Sequence, residues 1–135
     1  MKYIFANELL RFPGLFIIKI SVIMIKLGGS KMKRVGQIIY VKDEGIEAYE
    51  KYHANPLPGV NEMIKECNIQ NYSIYRRGNI MFAYFEYTGE DYEKDMAKMA
   101  ADPTTQHWWS LVHPLMQPLP GENDWADMKE IYHLD

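Results

Sequence analysis

An α+β fold with its elements in the order β-α-β-β-α-β is what this sequence predicts. Short runs rich in Ile, Val, Tyr and Phe, at residues 37–42, 69–77 and 80–88, have strand composition. Apolar residues at helical spacing fill the stretches between and after them. Gly78-Asn79 joins two of the runs with two residues, a hairpin signal of the glycine-first kind.

The first strand, 37–42, ends where Asp43 offers an N-cap for a helix that runs to about His53. Asn55, Pro56, Pro58 and Gly59 break that helix, and a second follows at 60–67 with Val60, Met63, Ile64 and Cys67 on one side. Asn68 turns the chain into the strand 69–77, which returns as 80–88. The return strand holds Tyr84, Phe85 and Tyr87, apolar on both parities, so both of its faces should be covered. Helices cover one face, and a second sheet or a second copy of the chain covers the other. A helix at 90–101 carries Tyr92, Met96 and Met99, with Asp91, Glu93 and Asp95 on a solvated side. Asp102-Pro103 restarts it as a new N-cap with proline at the first helical position, giving a helix at 104–116. Residues 127–133 close the domain as a last strand. This order is the ferredoxin-like split βαβ arrangement.

With 135 residues, 47% hydrophobic and 24% charged, the chain builds one domain with a core. A net charge of −3 leaves no basic footprint for nucleic acid. One cysteine, Cys67, excludes an internal disulfide framework and a cysteine zinc cluster, and is compatible with a reducing cytoplasm. Residues 1–31 differ in character, with five basic side chains against Glu8. Their apolar stretch at 15–27 is too short for a membrane span and is interrupted by Lys19 and Lys26. It reads as an appended helix or strand, a degenerate signal segment, or residues ahead of a start at Met32. The domain division is therefore an N-terminal extension, 1–31, and a main domain, 32–135.

Four groups of residues carry candidate chemistry. Tyr49 and His53 are four apart at the end of the first helix and share a face. The helix dipole there favours the imidazolium, and a switchable imidazole beside a phenol suits acid–base work on an uncharged substrate. Against this stands a histidine that only caps carbonyls. Tyr72 and Tyr75 lie on opposite parities of one strand, so one faces the helices and the other does not. Trp108 and Trp109 diverge by about 100° on a helix, so at least one lines a cleft or an interface. An indole face packs on the C–H face of a sugar, and its N–H can donate to a hydroxyl. His107 and His113 share no helix face, and no metal-ligand spacing or glycine-rich phosphate loop is present, so no metal site is expected.

The helix end Tyr49-Glu50-Lys51-Tyr52-His53, the strand Asn71-Tyr72-Ser73-Ile74-Tyr75, the Trp108-Trp109 pair and the ending Glu130-Ile131-Tyr132-His133-Leu134 together resemble the L-rhamnose mutarotase family over residues 32–135. The resemblance implies a dimeric α+β barrel of ferredoxin-like protomers that interconverts the α and β anomers of L-rhamnose without a cofactor; a cytoplasmic homodimer with no nucleic-acid or membrane partner is expected. It implies His53 as proton donor and Tyr49, Tyr72, Trp108 and Trp109 as sugar contacts. Leu57-Pro58-Gly59 stands where the family usually has Trp-Pro-Glu, which leaves open whether L-rhamnose, L-fucose or another deoxysugar fits. The alternative on the same fold is a non-sugar binding protein or a cofactor-free monooxygenase acting on aromatic compounds.

Overall fold

Alternation decides the first strand. Val35, Ile39 and Val41 are buried on one side of β1 (Lys33–Val41), while their neighbours stay half-buried on the other. The computed structural model describes residues 32–135, so the expectations for 1–31 lie outside the described residues. The strand begins four residues earlier than its apolar composition suggests, because Lys33 to Gly36 pair with β3 as regularly as Ile38 and Ile39 do. Asp43 is not the N-cap expected of it. Asp43–Gly45 forms a 3-10 turn, and helix α1 (Ile46–Ala54) follows without a side-chain cap. Gly59 adopts φ +96° ahead of α2 (Val60–Glu66), and its N–H donates to the Glu62 carboxylate. That left-handed geometry favours glycine at position 59, where a side chain would be strained.

Strands β2 (Ile69–Arg77) and β3 (Ile80–Tyr87) form the expected hairpin, with Gly78 at φ +60°. Helix α3 (Tyr92–Ala101) starts at Asp91, whose carboxylate accepts from Lys94 N–H. Asp95 is no part of a solvated face: it accepts from the Tyr87 hydroxyl at 2.6 Å and from the Asn68 amide at 2.8 Å. Helix α4 (Pro103–Val112) is capped as its sequence suggests, with Asp102 accepting from both Thr105 N–H and Thr105 Oγ1. It ends four residues sooner than expected. Pro114 lacks the N–H that a continuing helix needs, and the chain passes through a 3-10 turn into β4 (Met116–Gln117).

All pairings are antiparallel, and the order is β2-β3-β1-β4, with β5 (Ala126–Met128) also on β1. The expected single last strand at 127–133 is thus two short pieces that share one edge of β1. Its register explains where β5 stops. Met128 lies opposite Gly36, which puts Glu130 opposite Arg34, and those side chains form an ion pair at 2.7 Å. The described part of β1 begins at Lys33, and Ile131, Tyr132 and Leu134 are exposed.

Helices lie on one face of the sheet. Ile39, Val41 and Met81 are at most 1% exposed there and pack with Tyr49, Val60, Trp108 and Val112. Burying an aliphatic side chain of that size contributes on the order of 1.5–3 kcal/mol. On β3, Met81, Ala83, Phe85 and Tyr87 point to the helices. Phe82 and Tyr84 point away with their neighbours Ile38 and Tyr40, and Tyr75 stacks on Phe82. Tyr75, Ile80 and Met128 on this second face remain exposed.

Candidate active site

A cavity of about 280 Å³ lies between the sheet and the helices, near the lower end of small-molecule sites. Tyr72, Trp108 and Trp109 line it, as the sequence suggested, together with Gln37, Asp124 and Trp125. Each side chain arrives by a local device. Asn71 adopts φ +49° and forms a bulge, so that β2 advances from Gln70 to Ser73 while β3 moves only from Glu86 to Tyr84. Ile69 and Tyr72, three apart and of opposite parity in a regular strand, therefore both reach the cavity. Glu86 fastens the bulge by accepting from Asn71 and Gln70, and those bonds hold its carboxyl below the usual range. Tyr72 meets the Phe85 ring edge-on at 5.5 Å, whereas Tyr75 lies on the opposite face of the sheet.

The α4 cap sets the two indoles. Trp108 is 8% exposed and belongs to the core, Trp109 is half-buried, and both border the cavity despite their divergence on the helix. Trp109 stacks on His113 with centroids 5.5 Å apart. Behind Trp108 lies the pair from α1. His53 meets the Trp108 ring edge-on at 5.0 Å and stacks on Tyr49 at 4.1 Å, as their four-residue spacing predicts. His53 and Tyr49 are one ring removed from the cavity wall instead of being part of it.

The electrostatics of His53 differ from the helix-dipole expectation. A carbonyl can only accept, so the 2.9 Å contact to Tyr49 O means that Nδ1 carries the proton and donates. Nε2 is then the lone-pair nitrogen of the neutral ring. Burial lowers the His53 pKa below 6.5, and the bond to Tyr49 recovers only part of the loss. Desolvation by packed rings outweighs the partial charge of a helix end, whose effect fades within one turn. Tyr49 is 5% exposed, and burial raises its phenol well above the ordinary value, so it stays a neutral donor. Lost solvation, with the Asp124 charge second, pushes the Tyr72 phenol up to about 12. Among the described residues, no three His, Cys, Asp or Glu side chains converge as a metal site would require, and no helix is long and apolar enough to cross a membrane.

Gln37, His113, Asp124 and Trp125 were missed by sequence reasoning. Gln37 offered only its parity: it faces Ala83, on the helix side. Asp124 and Trp125 sit in the connection between β4 and β5, which no local pattern ties to the cavity.

A family profile described as L-rhamnose mutarotase matches residues 34–134. Curated L-rhamnose mutarotases are similar along nearly their whole length: that of Ligilactobacillus salivarius is 34% identical over 76% of this chain and 97% of its own, and that of Bacillus subtilis 35% identical over 77% and 100%. Among solved structures, the fold is similar to an L-rhamnose mutarotase from Formosa agariphila, with TM-score 0.60 and 20% identity over 76% of this chain and 99% of that chain. It is also similar to tetracenomycin F2 cyclase from Streptomyces glaucescens, with TM-score 0.53 and 12% identity over 76% and 97%. At such identities those two likenesses concern the fold alone, but the profile and the curated relatives decide the family: this chain belongs to the L-rhamnose mutarotases, isomerases that act on carbohydrates.

Proposed function

We propose that this protein interconverts the α and β anomers of L-rhamnose by opening and closing the pyranose ring, with His53 as the proton donor. One observation carries the reading: Tyr72, Trp108 and Trp109 line a single cavity, and His53 is in ring contact with Trp108. Indole faces accept the apolar C–H face of the sugar, and the Tyr72 phenol, held protonated, donates to a hydroxyl. Tyr49 fixes the imidazole by stacking and by its carbonyl, so the proton to be donated is the one that Nε2 takes up in the imidazolium form. Ring opening requires that the ring oxygen gain a proton and the anomeric hydroxyl lose one; rotation about C1–C2 and closure on the other face then give the second anomer. Proton transfers suffice for this, with neither metal nor cofactor. A positioned acid–base group typically supplies about 10²–10⁴-fold.

The proposed catalytic unit is residues 32–135, with 1–31 as an extension outside it, supported by the profile match at 34–134. The proposed assembly is a homodimer through the sheet face that carries Phe82, Tyr84 and Tyr75, forming the dimeric α+β barrel, and the proposed compartment is the cytoplasm. Saturation-transfer NMR on the anomeric protons of L-rhamnose, L-fucose and common hexoses tests the reaction and its substrate together. His53→Ala should abolish exchange while its circular dichroism stays that of wild type. Near-wild-type exchange in that variant removes His53 from the mechanism.

A further inference from the structure

We propose that Asp124 is the second proton-transfer group of this site, the one that takes and returns the proton of the anomeric hydroxyl. The assignment rests on the mutarotase reading and extends it. Among the described residues Asp124 is the single carboxylate that lines the cavity, which it shares with Tyr72, Trp108 and Trp109. His53, by contrast, lies behind Trp108, so a proton pair that serves two adjacent sugar oxygens needs a member on the cavity wall itself.

The carboxylate is held in place. Its Oδ1 accepts from Trp125 N–H at 2.9 Å. Trp125 packs against the core cluster, and the next residues, Ala126 and Asp127, pair with Ile38 and Gln37 of β1. A second bond fixes that pairing: Gln37 donates to Asp127 at 2.8 Å. The end of a long connection is thereby registered against the central strand, as a positioned base requires. Asp124 is also close enough to Tyr72 for its charge to act on the phenol, which places carboxylate and hydroxyl donor around one volume.

The Asp124 carboxylate takes the proton of the anomeric hydroxyl, and the O–H bonding pair becomes the C1=O π bond. The C1–O5 bond breaks, its pair stays on O5, and O5 receives through a water molecule the Nε2 proton of the imidazolium form of His53, which becomes the neutral ring with Nδ1–H still on Tyr49 O. After rotation about C1–C2, O5 attacks the opposite face of the carbonyl. Its proton returns by the same water to His53 Nε2, and the Asp124 carboxylic acid gives its proton back to O1.

The test is anomer exchange on L-rhamnose by saturation-transfer NMR with the full chain. Asp124→Asn should lower kcat by about 10²-fold with KM changed less than threefold, because it keeps the shape and removes the base. Asp124→Ala should be equally slow and should regain rate as formate is added, a response that a merely structural aspartate does not give. An Asp124→Asn rate within threefold of wild type overturns the assignment. So does a slow Asp124→Ala that formate leaves slow, and so does a loss carried by His113→Gln in its place. A wild-type chain that exchanges no sugar sinks the mutarotase reading and this assignment with it. An active wild type beside an unaffected Asp124→Asn sinks this assignment alone.

Discussion

Replacing Asn71 by valine tests whether one backbone dihedral delivers Tyr72 to the cavity. Asn71 holds φ at +49°, in the left-handed region that asparagine tolerates and β-branched residues do not. Forcing valine into that geometry costs about 1–3 kcal/mol. Against a domain stability of about 5–15 kcal/mol that is a large fraction. At about 4–8 °C per kcal/mol for a domain near this size, the midpoint of thermal unfolding should drop by roughly 4–24 °C. Asn71→Gly separates the causes: it adopts the dihedral without strain and loses only the hydrogen bond to Glu86. Thermal unfolding followed by circular dichroism should rank wild type and Asn71→Gly close together, with Asn71→Val well below. The same ranking should appear in KM for the sugar, because relaxing the bulge turns either Ile69 or Tyr72 out of the cavity. Equal losses in the glycine and valine variants would locate the effect in the Glu86 bond. A valine variant that melts within 1 °C of wild type would refute the strain argument outright.

Burial lowers the His53 pKa, which sets the sign of its effect on stability. Above 6.5 the ring is neutral in both states; as pH falls below 6.5 the unfolded chain takes up the proton first, and stability is lost down to the lowered folded value. Urea midpoints measured between pH 7.5 and pH 5 should therefore fall more steeply for wild type than for His53→Gln, and parallel curves would count against a buried neutral imidazole. The outward sheet face gives the other expectation. Phe82→Asp puts a charge where Tyr75 and Ile38 pack, so light scattering should read twice 15.9 kDa for wild type and 15.9 kDa for the variant. A dimeric Phe82→Asp would place the interface elsewhere.

What the sequence made legible was whatever is decided within a few residues. Asp102-Pro103 caps α4 because cap and first turn are adjacent in the chain. Tyr49 and His53 stack because helical geometry fixes their offset. The central strands follow from β-branched and aromatic runs. The closing strand was misplaced because pairing decides it. Residues 116–117 and 126–128 become strands where β1 offers an edge, and 131–135 pair with no strand among the described residues. Asp124 and Trp125 were illegible for the same reason, since only the register of Ala126 on Ile38 brings that connection to the cavity. The His53 charge state was misjudged because the dipole is visible in the chain, while the desolvating Trp108 comes from 55 positions away.

Parity along β3 separates two functions that one sheet carries. Met81, Ala83 and Phe85 face the helices, and Phe85 reaches the cavity. Phe82 and Tyr84 face away from it. A side chain added or removed on one parity thus leaves the other face with its own neighbours. Among the described strands the bulge at Asn71 is where this division is broken, and it is broken in favour of the cavity, where an extra aromatic wall is gained. The rest of β2 keeps its alternation, with Ile74 turned to the core and Tyr75 to the outer face. The proposed catalysis and the proposed assembly should therefore be separable by mutation: the residues assigned to the chemistry lie at or behind the cavity between sheet and helices, and the face proposed for the second copy holds aromatic rings that no proposed step uses.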